Sequence, residues 1–481
     1  MGECVELMTP TQRSVTREKC GVFGVYGLKD AAVVAYLGLF SLQHRGQESA
    51  GLVISDGKRL QEYKGMGLVH EVFEEDHLRR FKGHIALGHV RYSTTGDSST
   101  RNIQPFLGES RLGGIAVAHN GNLVNTPSLW KKLSRKGAVV QSSTDTELIL
   151  HLLAGSAFDS LEDSIKEALW EMRGAYSLGI LSRDKLIAVR DPWGFRPLCL
   201  GKLGDGYLVS SESCAIEVLG GEFIREIEPG EMLILDENGP RSFFYAYSSK
   251  KAFCVFELIY FARPDTFVFG NHVAEARKRM GRILAEDEAC GADIVVPVPD
   301  SGIFAALGFA EASGIPLEFA MVRNPYVGRT FIQPGHEPRN LAVRLKLNPL
   351  KAMLRGKRVV IIEDSIVRGN TSRERIATLK EAGVKEVHLR VSSPPHRFPC
   401  YYGIDFPTSE ELLAARLAVP EIEKYLGLDS LRYLSLEGLK RSIQPPPSLY
   451  CFACFDGGYP VEKDQGLGKS CLEEHFEVYR R

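Results

Sequence analysis

Two textures of hydrophobic and polar positions divide the chain. From Cys20 to about residue 245, short apolar stretches stop at Gly, Asp and Asn: CGVFGVYG from Cys20, then 50–55, 84–90, 115–119, 177–190 and 206–210. Alternation with turn residues between segments predicts antiparallel strands with one buried face. Ala31 to His44 predicts a helix, with Asp30 as its N-cap and Gly46 just past its end. From about residue 272 the pattern changes. A helical stretch, HVAEARKRMGRILAEDE, precedes the apolar run ADIVVPVP, and RVVIIED (358–364) and EVHLRVSS (386–393) follow with a helix predicted over 371–382 between them. Strands that are apolar on both faces and alternate with helices predict a doubly wound parallel sheet. Residues 408–441 read as helical, and 1–19 carry no core of their own. The pattern therefore predicts a leader (1–19), an α+β domain (20–250), an α/β domain (265–405) and a helical C-terminal region (406–481).

Composition narrows the class. The 481 residues are 44% hydrophobic and 25% charged, enough to bury cores and too little charge for disorder. A balance of 59 basic and 60 acidic residues, net −1, excludes the cationic footprint of a nucleic-acid coat. No apolar run reaches membrane length, and the leader lacks the apolar core of a secretory signal, so a cytoplasmic location without membrane or nucleic-acid partners is expected. Ten cysteines are too sparse for a disulfide scaffold, which directs attention to catalytic or metal-binding thiols.

The segment Glu363-Asp364-Ser365-Ile366-Val367-Arg368-Gly369-Asn370-Thr371-Ser372 follows an apolar strand and opens a helix. Unpaired N–H groups at a helix N-terminus make a phosphate cradle, and two carboxylates at the carboxyl edge of a parallel sheet can hold ribose hydroxyls or Mg²⁺. The segment resembles the loop with which type I phosphoribosyltransferases bind 5-phosphoribosyl-1-pyrophosphate (PRPP), with Glu363 where the family usually has aspartate. The resemblance implies that Glu363 and Asp364 take the ribose hydroxyls and Mg²⁺, and that Ser365 to Ser372 cradle the 5′-phosphate. Asp300-Ser301-Gly302, a turn after another strand, suits the pyrophosphate, with Ser301 near the metal. Alone it is also an ordinary turn. Arg323, Arg329, Arg339, Arg344 and Lys346 stand against one acid, Glu337, and read as a basic loop able to close over a polyphosphate.

In the first half, CGVFG at Cys20, His44-Arg45-Gly46-Gln47-Glu48-Ser49-Ala50-Gly51, Gly88-His89-Val90-Arg91-Tyr92-Ser93-Thr94-Thr95-Gly96, His119-Asn120-Gly121-Asn122 and Ser143-Thr144-Asp145-Thr146-Glu147 follow in order. Together they resemble the class II glutamine amidotransferase domain, an N-terminal-nucleophile fold. The resemblance implies removal of the leader, so that the Cys20 α-amine becomes the base for its own thiol. It gives the oxyanion to the Asn120 side chain and the Gly121 N–H. Arg91 and Asp145 are complementary to the α-carboxylate and α-ammonium of glutamine. His44 and His119 read as structural.

A glutaminase of this kind followed by a PRPP-type sheet resembles the amidophosphoribosyltransferase family over residues 20 to about 460. The likeness includes Arg190-Asp191-Pro192-Trp193-Gly194-Phe195-Arg196-Pro197-Leu198, Ser211-Glu212-Ser213-Cys214 and ELIYFARPD from Glu257. It implies the substrates glutamine and PRPP, purine nucleotides as feedback inhibitors, and a homo-oligomer, tetrameric by family. Three rivals are a non-enzymatic PRPP-sensing regulator, an amidotransferase with another acceptor, and an ammonia-only enzyme whose leader is never removed. The first lacks a DNA-reading motif, and the Glu363–Ser372 loop argues against the second. Cys451-Phe452-Ala453-Cys454 alone is a redox pair, half a zinc site or half an iron–sulfur site. One subclass of the family holds a [4Fe–4S] cluster, and Cys254, Cys400, Cys451 and Cys454 stand at its four ligand positions. Cys4, Cys199, Cys214, Cys290 and Cys471 have no assigned role.

Overall fold

The computed structural model describes residues 20–92, 99–248, 250–286, 290–324, 347–405, 408–465, 467 and 472. The first half is a sandwich of two antiparallel sheets. One has seven strands, including Gly21–Tyr26, Ser49–Ser55 and Ile85–Arg91; the other has six, including Gly113–Leu123, Gly174–Leu181 and Leu186–Arg190. Alternate residues point inward between the sheets. Val22, Val53 and Leu87 of one sheet meet Ala116, Ala118, Leu181 and Ala188 of the other in a shared core. Helices cover both outer faces: Ala31–Ser41 on the first sheet, Asp145–Ala154 and Leu161–Glu171 on the second. Gly38 lets the first helix sit against its sheet, because a Cβ there would lie 2.4 Å from the Phe23 ring.

The second half is built on a parallel sheet in the order Ile294–Pro297, Arg358–Glu363, Glu386–Val391, Ser430–Tyr433. A parallel bridge from Val295 to Leu317 adds a contact on the free side of the first strand. Counting that contact, the spatial order is 2-1-3-4-5 in chain sequence. Helices Val273–Glu286 and Ile303–Ser313 cover one face, and Asn370–Glu381 and Val419–Leu426 cover the other. Winding reverses between Ile294–Pro297 and Arg358–Glu363. The crevice outside their carboxyl ends is where open α/β sheets take ligands, and both predicted phosphate-binding turns begin there.

Three expectations from the sequence change. The first helix ends at Ser41, short of His44, and Asp30 caps it through its backbone carbonyl, which accepts from Val33 and Val34, with no bond from its carboxylate. Residues 177–190 are two strands of a hairpin, Gly174–Leu181 and Leu186–Arg190. The 408–441 region is not helical throughout: Ser430–Tyr433 is a strand that extends the parallel sheet beyond residue 405. Only Leu431 of that strand is buried, so its hydrophobic signal is a single residue.

Candidate active sites and cysteine cavity

Three strand ends bring the first site together. Ser49 pairs with Arg91 and Gly21 pairs with Val90, so Cys20 falls opposite Arg91. Cys20, Arg91 and Ser49 share the parity of Val22, Leu87 and Val53, which face the other sheet. The Cys20 thiol is buried and donates to the Tyr92 carbonyl at 3.5 Å. Burial raises its pKa; Arg91 opposes that, while Glu48 and Asp145 add to it. A thiol held protonated needs a base before it can attack. Arg91 is itself buried, 3.7 Å from the Glu48 carboxylate.

From the second sheet, Asn120 has the inward parity of Ala116 and Ala118, and its Nδ2 is buried with no hydrogen-bond partner among the described residues. Leaving an amide donor unpaired costs about 1–3 kcal/mol, so an acceptor arriving with substrate recovers it. His89 Nε2 donates to the His119 carbonyl at 3.1 Å, which ties the two sheets next to Asn120. Burial pushes the His89 pKa down to about 3, so the ring is neutral. Gly121 could carry no side chain, since a Cβ would lie 2.0 Å from the Ala175 carbonyl oxygen.

Asp145 opens the helix Asp145–Ala154, where Thr144 caps by accepting from the Thr146 N–H. Its carboxylate accepts from the Leu123 N–H at 2.9 Å and lies 3.4 Å from His119 Nδ1. Burial pushes its pKa up, but His119, the Leu123 N–H and Thr144 outweigh that and hold it below its ordinary value. The helix N-terminus adds to the same sign. An ionised Asp145 is what an α-ammonium requires. His119, read as structural, orients this carboxylate.

Behind Cys20 lies a buried charge network. Arg45 donates through Nε to the Cys20 carbonyl at 3.1 Å and through its other nitrogens to Glu212 at 2.5 Å and Glu257 at 3.0 Å. Glu257 also accepts from Arg196 at 3.2 Å, and His44 binds Glu212 at 2.8 Å. Sequence reasoning assigned no roles to Ser49, His89, Arg45, Glu212, Glu257 and Arg196. Their one signal was that each falls inside a motif or connecting piece already quoted.

At the second site the two acids diverge. Asp364 accepts from Ser301 and Ser365, each at 2.5 Å, which joins the two strand ends across the switch point. Burial raises its pKa, with Glu363 adding and Arg277 opposing. Glu363 is held instead by Arg375 at 2.6 Å and Ser372 at 3.1 Å, both from the following helix. Consecutive strand residues point to opposite faces, so the pair does not act as one bidentate clamp. Gly369, in the left-handed region at φ +77°, turns the chain into the helix Asn370–Glu381, which places Asn370, Thr371 and Ser372 in its first turn. Arg368 is tied to Glu411 at 2.5 Å. Asp300 is ion-paired with Arg323, and Gly302 packs so closely that a Cβ would meet the Ile362 carbonyl at 2.4 Å. Arg329 and Lys346 lie outside the described residues, as do the leader, Ser93 to Thr95 and the rest of 325–346.

Four cysteines from three distant segments line one cavity: Cys254, Cys400, Cys451 and Cys454, with Phe195, Phe256 and Tyr402 around them. A two-residue parallel pairing sets Cys254 beside Cys451. Burial raises the pKa of all four thiols, and for Cys400, Cys451 and Cys454 neighbouring cysteines raise it further. Four sulfur donors converging from three segments are a donor set that suits either a zinc ion or an iron–sulfur cluster. Among the described residues no group of three or more His, Cys, Asp or Glu is placed to hold a metal ion. Arg196 is the cation that opposes the rise at Cys254, Cys400 and Cys451. For Mg²⁺, Asp364 and Ser301 fit the usual pattern of one or two carboxylates completed by substrate phosphates.

Residues 89–218 match the glutamine amidotransferase domain family. Over 450 residues the chain is 47% identical to an amidophosphoribosyltransferase of Bacillus subtilis, covering 92% of this chain and 94% of that one. It is 47% identical over 462 residues to one of Methanocaldococcus jannaschii, covering 92% and 98%. Among solved structures it is similar to the B. subtilis glutamine PRPP amidotransferase complexed with ADP and GMP, with a TM-score of 0.88, 46% identity, and coverage of 93% and 98%.

Proposed function

The chain belongs to the amidophosphoribosyltransferase family, and from that membership we propose how its own residues divide the work. The enzyme converts PRPP, glutamine and water into 5-phosphoribosylamine, glutamate and pyrophosphate, the first committed step of purine biosynthesis. Removal of residues 1–19 frees the Cys20 α-amine, which takes the thiol proton. The thiolate attacks the side-chain amide of glutamine. Asn120 Nδ2 and the Gly121 N–H receive the oxyanion, while Arg91 and Asp145 hold the α-carboxylate and α-ammonium. The Cys20 α-ammonium returns the proton to the amide nitrogen as the C–N bond breaks and ammonia leaves, and water then hydrolyses the thioester to glutamate and free thiol.

In the second half the Ser365–Ser372 turn holds the 5′-phosphate through backbone N–H groups at the helix start. Asp364 and Glu363 hold the ribose hydroxyls from their two faces. The Asp300–Gly302 turn, with Arg329 and Lys346, faces the pyrophosphate. Ammonia attacks C1 as the bond from C1 to the pyrophosphate oxygen breaks. Asp364 and Ser301 would hold Mg²⁺, with Glu363 facing it through the ribose hydroxyls, and the ion would supply neutralising charge to the pyrophosphate oxygens. Cys254, Cys400, Cys451 and Cys454 would hold one [4Fe–4S] cluster; neither half-reaction transfers an electron, so the cluster would clamp both halves and the tail. Purine nucleotides act as feedback inhibitors, in keeping with the nucleotides named for the B. subtilis structure, and the enzyme works as a homo-oligomer.

One observation carries the mechanism: the buried Asn120 amide, unpartnered among the described residues, on a strand tied by His89 to the edge that holds Cys20 and Arg91. Intact-mass analysis of glutamine-active enzyme tests it. A mature chain beginning at Cys20 is expected, and a retained Met1 or Gly2 would overturn it. Brown enzyme with about four irons per chain is expected of the cluster; zinc in anaerobic preparations would contradict that.

A further inference from the structure

The two halves touch at the oxyanion strand itself. Asn122 Nδ2 donates to the Tyr401 carbonyl at 2.9 Å. Arg196 Nε donates to the Tyr402 carbonyl at 3.0 Å. Gly403 follows in the left-handed region at φ +96°, and a Cβ there would lie 2.9 Å from the carbonyl carbon of Gly121. Phe195 stacks on Tyr402 with ring centroids 4.3 Å apart. Three successive residues of the second half therefore grip the first half, two of them at Gly121 and Asn122.

The grip lies where it can affect chemistry. Asn120 and Asn122 are two apart on one strand, so their side chains share a face. A tilt of the strand at Asn122 moves the Asn120 amide and the Gly121 N–H together. An oxyanion donor acts only when it sits within hydrogen-bond range of where the charge develops. The same segments also reach the nucleophile: Arg196, which holds Tyr402, shares Glu257 with Arg45, which holds the Cys20 carbonyl.

We propose that the backbone from Tyr401 to Gly403 is a positioning element of the glutaminase, seating the oxyanion donors through Asn122 and Gly121. Glutamine hydrolysis then depends on how the second half is docked, even though that half contributes no group that touches glutamine. The proposal rests on the assignment of Asn120 and Gly121 to the oxyanion.

The test uses processed holoenzyme carrying Asn122→Ala or Gly403→Ala, with Asn120→Ala alongside. Glutaminase kcat and KM, ammonia-dependent synthesis from PRPP, and the alkylation rate of Cys20 by iodoacetamide are measured. Displacement on iodoacetamide develops no tetrahedral oxyanion, so that rate reports the thiol and not the donors. Asn122→Ala is expected to lower glutaminase kcat about tenfold with KM little changed, and Gly403→Ala about a hundredfold. Alkylation and ammonia-dependent synthesis should stay within about twofold of the parent in both. If Gly403→Ala does not fold, Asn122→Ala decides alone. An unchanged kcat, or a parallel loss in all three readouts, would overturn the proposal. If Asn120→Ala itself leaves kcat intact, the oxyanion assignment fails instead, and the two failures are told apart.

Discussion

In the glutaminase half, the groups assigned to glutamine are buried and already fixed: Arg91 beside Glu48, Asp145 against His119 and the Leu123 N–H. In the phosphoribosyltransferase half, Asp364 and Glu363 are equally buried and held by Ser301 and Arg375, but Asp300 is exposed and, among the described residues, ion-paired with Arg323. The difference follows from the substrates. Free glutamine is small with no net charge, and fixed donors and one pair of charges suffice for it. PRPP is larger and polyanionic, so its site spans from the buried acids at one strand end to an exposed turn at the next.

Substitutions that separate the two sites test this contrast. Cys20→Ala should abolish glutamine-dependent turnover, by about 10⁴-fold or more, and leave ammonia-dependent synthesis within about twofold. Loss of both would mean that the halves are not separable. Asn120→Ala should cost about 10²–10³ in glutaminase kcat with little change in KM; a rise in KM alone would make Asn120 a binding group. Asp364→Asn should lower PRPP-dependent turnover about a hundredfold and spare basal glutaminase, because a buried, doubly bonded carboxylate is lost from one site only. Arg91→Lys should raise KM for glutamine about tenfold through loss of the planar fork. Steady-state kinetics in the two assays reads all four.

The smallest effect is on stability. His89 has a pKa of about 3 in the fold and about 6.5 when unfolded. Below pH 6.5 the unfolded chain binds the additional proton. The stability tied to a neutral His89 is therefore complete above pH 6.5 and lost as pH falls toward 3. His396, also pushed down to about 3 by burial, adds to the same slope. His89→Asn should flatten the fall in thermal midpoint between pH 7 and 4, by at most about 1.4 kcal/mol per pH unit. An unchanged slope would mean that the ring is not held neutral.

Candidate residues for both sites could be named because each motif is short and local: a cysteine after a charged leader, a strand running into Glu363 and Asp364, an Asn-Gly at 120–121. Register across sheets was not. Nothing near His89 in the sequence points to the His119 carbonyl, and nothing near Arg45 points to Glu257, 212 residues away. The divergence of Glu363 from Asp364 was readable in principle from strand alternation. It was hidden by the resemblance, which treats them as one acidic pair. Ser430–Tyr433 was lost among helices because a short edge strand with one buried residue has almost no periodic signal. The cavity shared by Cys254, Cys400, Cys451 and Cys454 could be expected only by resemblance, since no local pattern joins segments 254, 400 and 451–454.

The central claim is that one chain hydrolyses glutamine and delivers the ammonia to PRPP. Release of glutamate and of pyrophosphate, measured together in the presence of Mg²⁺, glutamine and PRPP, tests it most directly. The account predicts equal amounts of both, with glutamate release stimulated by PRPP. Glutamate released without pyrophosphate, at a rate indifferent to PRPP, would contradict it.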